Sequence, residues 1–193
     1  KGAPIPATPA VQENGNEEGG TVTLSGTVSS DTDPSDIVVG KNGIGVFAQN
    51  SDVILQSKYR VEVKDGGTGI FVKGNSSIVG NNPFELKYSG TSQGTAVGLA
   101  YGYANATNNM AVNILNGDNT AGITNIFANG GGTFTNTATA KLTTVAKSGI
   151  AILSKNNTNV VNSGEITVKE AASSMVPNIG IYTDGGTATI TND

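Results

Sequence analysis

The residues in this chain equipped for acid–base chemistry are few: the carboxylates Asp52, Glu62, Asp65 and Glu85, and the cations Lys58, Arg60 and Lys87 that fall among them. Carboxylates flanked by basic groups are the apparatus of sugar-cleaving enzymes, where one carboxyl gives a proton and another serves as base or nucleophile. Glu62 and Glu85 each sit in a segment of alternating apolar and polar residues, so equivalent positions in adjacent repeats would bring them to one side. Like charges at that separation are read more simply as offset by neighbours such as Lys64 and Lys87. The chain has no His and no Cys, which removes the commonest general base, the thiol nucleophile and the usual zinc ligands. The expectation is a protein that is not an enzyme and needs no cofactor, with a carbohydrate-active enzyme as the alternative.

Two clusters suggest binding instead. Tyr101 and Tyr103, separated by Gly102 and followed by Asn105, Asn108 and Asn109, form the densest mixture of aromatic and amide groups, which is the chemistry that grips a sugar. The competing reading makes Tyr101 an inward stacking residue equivalent to Phe71, with Tyr103 covering a corner. Asp31, Asp33 and Asp36 have a spacing of oxygen ligands that suits calcium, but they lack the glycine and distal glutamate of an EF-hand loop, and Asp-Pro and Ser-Asp are ordinary turn formers. Asn-x-Ser/Thr triplets at Asn75, Asn105 and Asn156 read as exposed turns.

Such groups must be held by β-structure. Only 13% of the residues are charged, Gly contributes 27, and Val, Ile, Thr and Asn recur throughout, a composition of short strands and tight corners. A net charge of −4 argues against nucleic acid as a partner. No apolar run is long enough to span a membrane as a helix. Residues 1–20, with three prolines and three glutamates, read as a flexible extension, and residues 21–193 as the folded part, ending inside a repeat.

That repeat is the strongest signal. Glycine followed by an aliphatic residue recurs at Gly45, Gly69, Gly98, Gly122, Gly149 and Gly180, at spacings of 24, 29, 24, 27 and 31 residues. A second apolar strand residue follows at 16 or 17 positions, at Val61, Leu86, Ile114 and Ile166, with Leu142 at 20 as the exception. Short segments at Asp52–Leu55, Ser77–Val79 and Asn159–Val161 supply a third strand. Three strands in roughly 25 residues predict one coil of a right-handed parallel β-helix, with about six irregular coils spanning roughly 29 Å at about 4.8 Å each. An antiparallel sandwich is the alternative fold. Extra residues should leave as loops near 81–83, 89–94, 130–132 and 170–177.

The units 43–48 and 67–72, the stretch Asn178-Ile179-Gly180-Ile181-Tyr182-Thr183, and Asn159-Val160-Val161-Asn162-Ser163-Gly164-Glu165-Ile166-Thr167-Val168 resemble the repeats of large outer-membrane autotransporter adhesins of fusobacteria, secreted by the type V route. The resemblance covers about residues 40–193. It implies a β-helical passenger on the cell surface, outside the outer membrane and carried by a C-terminal outer-membrane β-barrel. Its partner would be a glycan or protein on a host or bacterial cell.

Overall fold

The computed structural model describes residues 20–30, 32–91, 94–115, 121–170, 178–185 and 187–193. Of the expected linker at 1–20 and loop at 170–177, residues 1–19 and 171–177 lie outside the described residues, while Gly20 opens the first strand and Glu170 ends the seventeenth. The rest is an all-β parallel solenoid of six coils, each made of three strands. The first coil holds β1 (Gly20–Leu24), β2 (Ile37–Val39) and β3 (Ile44–Gln49). The second holds β4 (Ser51–Leu55), β5 (Tyr59–Val63) and β6 (Gly67–Lys73), and the third β7 (Ile78–Val79), β8 (Phe84–Tyr88) and β9 (Ala96–Gly102). The fourth holds β10 (Thr107–Asn108), β11 (Ala111–Leu115) and β12 (Ala121–Ala128), and the fifth β13 (Thr133–Asn136), β14 (Lys141–Ala146) and β15 (Ser148–Lys155). The sixth holds β16 (Asn159–Asn162), β17 (Glu165–Glu170) and β18 (Ile179–Asp184), and β19 (Ile190–Asn192) opens a seventh.

Every recorded pairing is parallel and joins a strand to its equivalent one coil away. The stack therefore has three faces. The first is split into β1-β4-β7 and β10-β13-β16-β19, while the second (β2-β5-β8-β11-β14-β17) and third (β3-β6-β9-β12-β15-β18) are continuous. The predicted third strand of each repeat is this first face. A single coil cannot bury its apolar side, and stacking does it: Tyr59, Phe84, Val112 and Leu142 form one inward column of the second sheet, and Val46, Ile70, Leu99, Ile126, Ile152 and Ile181 one of the third.

Corners need left-handed backbone, and all five non-glycine residues recorded with positive φ are asparagine: Asn42, Asn50, Asn105, Asn156 and Asn157. Asparagine also continues inside. The amide of Asn108 donates to Asn136 (2.9 Å), Asn136 to Asn162 (2.8 Å), and Asn162 to Asn192 (2.8 Å), forming a ladder through four coils. Each buried amide thereby finds a partner in the next coil.

The glycine repeat is corrected in two places. Gly45, Gly69, Gly98 and Gly180 occupy one column of the third sheet, but Asn125 and Ala151 stand where Gly122 and Gly149 were expected. Gly122 has φ +85° beside the register shift in β12, and Gly149 pairs with Ile123. In this column the strand bends, so that the glycine and the following aliphatic both face inward. A Cβ on Gly69 would stand 2.6 Å from the Phe84 ring and 2.7 Å from the Gly98 carbonyl, which is why side chains are excluded there. Leu142 and Ile166 accordingly stack on Val112, and the position above Ile114 is taken by Thr144, followed by Val168.

Candidate functional site

The structure gathers Lys58, Arg60, Glu62, Glu85 and Lys87 on the outer face of the second sheet, because alternation sends Tyr59, Val61 and Val63 inward and the intervening residues out. All of them are paired. Glu85 accepts from Arg60 Nε (2.8 Å) and Nη2 (2.7 Å) and from Lys58 (2.8 Å), and Glu62 pairs with Lys87 at 3.0 Å. Burial pushes the Glu62 carboxyl up, but hydrogen bonds from Lys87 and Ser89 and the Lys87 charge outweigh it and hold the group below its ordinary value. Arg60 is fully buried under the segment joining β1 to β2, with its guanidinium also donating to the Asp33 (2.8 Å) and Ser30 (3.1 Å) carbonyls. Asp52 accepts from Ser77, and Asp65 from Tyr88 and Thr91. Each of these carboxylates is engaged in holding the chain's own coils together.

Asp33 and Asp36 are turn residues. Asp33 accepts from the backbone and hydroxyls of Ser29 and Ser30, and these bonds hold its carboxyl far below the usual range. Asp36 accepts from Thr27 and from the Arg60 amide at 2.9 Å. Asp31 lies outside the described residues. Among the described residues, no cluster of three or more acidic, His or Cys groups is placed to hold a metal.

The predicted aromatic cluster is divided between core and surface. Tyr101 is fully buried, its ring 5.4 Å from Phe134 and 6.1 Å from Tyr103, and it stacks on Val72 and Ala128. It is inward as the competing reading held, but its neighbour in the column is Val72 and not Phe71. Burial, then the nearby Tyr103, pushes its phenol up. Asn108 is a rung of the buried ladder. Neither side chain can meet a ligand. Tyr103 is half-buried, with its phenol pushed up to about 12 by burial and by Asp52, and Asn105 is an exposed corner whose side-chain oxygen accepts from Thr133 N.

The surface that stands out was not anticipated. On the outer side of the third sheet, Phe47, Phe71, Ala100, Phe127, Leu153 and Tyr182 form one unbroken column, one residue per coil. Phe47 and Phe71 meet edge-on at 5.5 Å, and Tyr182 is 44% exposed. Ile44, Thr68, Val97, Thr124, Ile150 and Ile179 run beside them, and Gln49, Lys73, Lys155 and Asp184 form the polar rim. The other faces mix polar and apolar groups: Thr107, Thr135, Val161 and Thr191 share one column of the first, where Ile54 and the exposed Val79 also align, and the second carries its ion pairs beside the exposed Val38. A sequence signal existed: the residue two after the column glycine is Phe47, Phe71 and Tyr182 in three coils. Simple alternation could not show which way these rings point, because the bend at the glycine column shifts its phase.

No family model, curated protein or solved structure matches this chain.

Proposed function

We propose that this chain is an extracellular adhesive segment of a bacterial autotransporter passenger, displayed at the cell surface by a C-terminal outer-membrane barrel. Its coils act as a stiff support, and its contact surface is the outer face of the third sheet. The observation that carries the reading is the apolar column Phe47 to Tyr182 with its polar rim, since a contiguous apolar patch bordered by polar groups marks an interaction site. The resemblance of units 43–48 and 67–72 to autotransporter repeats supplies the compartment and the partner, a glycan or protein on a bacterial or host cell. The paired state of Glu62 and Glu85 favours a scaffold over a hydrolase.

The test is attachment of the purified chain to intact bacterial and host cells. Phe71→Ser with Phe127→Ser should reduce attachment by tenfold or more, about 1.4 kcal/mol. Glu62→Gln with Lys87→Gln, on the second face, should leave it unchanged. Equal attachment by both pairs would remove the third face from consideration, and no attachment by the unaltered chain would leave it a spacer.

A further inference from the structure

We propose that the outer face of the third sheet binds a linear acidic polysaccharide laid along the solenoid axis, an inference that rests on the adhesive reading above and names the ligand class. The geometry is the first argument. Each coil advances about 4.8 Å, close to the length that one sugar ring adds to an extended polysaccharide. Successive sugars therefore meet successive coils without falling out of step. Sugar rings carry apolar C–H faces that pack on aromatic and aliphatic side chains, and hydroxyl edges that need a polar border. Phe47, Phe71, Phe127, Leu153 and Tyr182 supply the first and the rim supplies the second.

Charge complementarity is the second argument. On the second sheet Lys58, Lys87 and Lys141 each pair with a glutamate, at 2.8, 3.0 and 3.4 Å. Around the third sheet the pattern differs. Lys41 and Lys64, on the corner leading into it, and Lys73, on its far rim, are exposed and make no ion pair within 4.0 Å among the described residues. Asp65, on the same corner and within the field of Lys41, is already taken up by Tyr88 and Thr91, and Asp184 pairs with Lys155 at 2.8 Å. Among the described residues, the charges bordering this apolar strip without an ion pair are Lys41, Lys64 and Lys73 against Asp65, a positive balance in a chain of net charge −4. Carboxylated or sulfated sugars match both features at once.

Calorimetric titration with polygalacturonate and hyaluronan oligosaccharides of increasing length tests this, with dextran as a neutral glycan and polyaspartate as an anion without sugar rings. Affinity should rise with length to about six sugars, one per coil, and fall as salt screens the lysines. The triple variant Lys41→Gln, Lys64→Gln, Lys73→Gln and the pair Phe71→Ser, Phe127→Ser should each weaken binding about tenfold or more. Lys141→Gln with Glu165→Gln should not change it. Thermal melts establish that each variant is folded. Polyaspartate binding as tightly as the acidic sugars would overturn the stacking argument, and dextran binding equally would overturn the charge argument. Phe71→Ser abolishing a dimer seen in sedimentation would assign the face to a second copy. If the Phe variants lose cell attachment and no acidic polysaccharide binds, the adhesive reading stands and this inference falls; if neither attachment nor sugar binding occurs, both fall.

Discussion

Asn125 and Thr144 hydrogen-bond side chain to side chain inside the solenoid, at a level where the stacked coils otherwise hold glycine or alanine against an aliphatic residue. Both are fully buried. The Asn125 amide also donates to the carbonyls of Val112 (2.8 Å) and Thr143 (3.0 Å) on the second sheet. Those carbonyls lie where the pairing of β11 with β14 ends, after Asn113 and Thr143, although β14 pairs with β17 as far as Ala146. One polar side chain thus satisfies an interruption of the ladder, and the hydroxyl of Thr144 completes its hydrogen bonding.

Loss of Asn125 should therefore be felt beyond its own volume. Asn125→Ala removes the side-chain donor to the Val112 and Thr143 carbonyls and leaves the buried Thr144 hydroxyl without its acceptor, an unmet group worth about 1–3 kcal/mol. Thr144→Val alone should cost about 1 kcal/mol, and the double variant less than the sum of the two. Urea denaturation of the four species measures the coupling. Additive losses would show that the two side chains do not act as a unit.

Tyr101 supplies a sharper contrast. Its ring is packed on Phe134, but its hydroxyl is buried and makes no hydrogen bond among the described residues. Tyr101→Ala should cost about 3–5 kcal/mol through the cavity it leaves. Tyr101→Phe should be neutral or stabilising, because it removes an unmet polar group without changing the packing. Thermal midpoints of the two variants decide this, and a destabilised phenylalanine variant would reveal a partner for the hydroxyl.

The sequence shows the coil architecture because backbone constraints leave marks on single residue types. Gly45, Gly69 and Gly98 sit where no side chain fits, and Asn50 and Asn105 sit where φ is positive, so both recur visibly. The repeat misleads where a substitution is compensated in three dimensions. Asn125 replaces glycine by reaching across the core, and Gly122, needed for a local bend, then imitates the missing anchor. The outer apolar column is hidden for a related reason. Phe84 and Phe134 point inward while Phe71 points out, and the difference depends on a bend that hydrophobicity alone does not encode.

Arg60 tests how the segment between β1 and β2 is held. Arg60→Met leaves Glu85 buried with Lys58 as its remaining cation among the described residues and frees the carbonyls of Ser30 and Asp33. Breaking a buried pair from one side costs about 3–5 kcal/mol, whereas replacing both members with apolar residues recovers much of it. Arg60→Met should destabilise strongly and raise amide hydrogen exchange at Ser29 and Ser30. Arg60→Met with Glu85→Met should regain most of the stability. Unchanged exchange in the single variant would mean that the segment is anchored without the guanidinium.

Acid should loosen the contacts between the second and third coils. Glu62 is held below its ordinary value of 4.5, against the opposing effect of burial, by Lys87 and by serine hydroxyls, and Asp65 below its ordinary 3.8 by Tyr88 first and then the Thr91 amide. A carboxyl whose pKa is lower in the folded state contributes stability that is fully present above its unfolded pKa and is lost as pH falls through the folded value. The thermal midpoint should accordingly hold from neutral pH down to about 5 and decline progressively below about 4. Glu62→Gln with Asp65→Asn should lower the midpoint at neutral pH and flatten the acid limb, because the variant has less left to lose. A midpoint unchanged from pH 6 to 2 in the unaltered chain would show that these carboxylates interact no more strongly folded than unfolded.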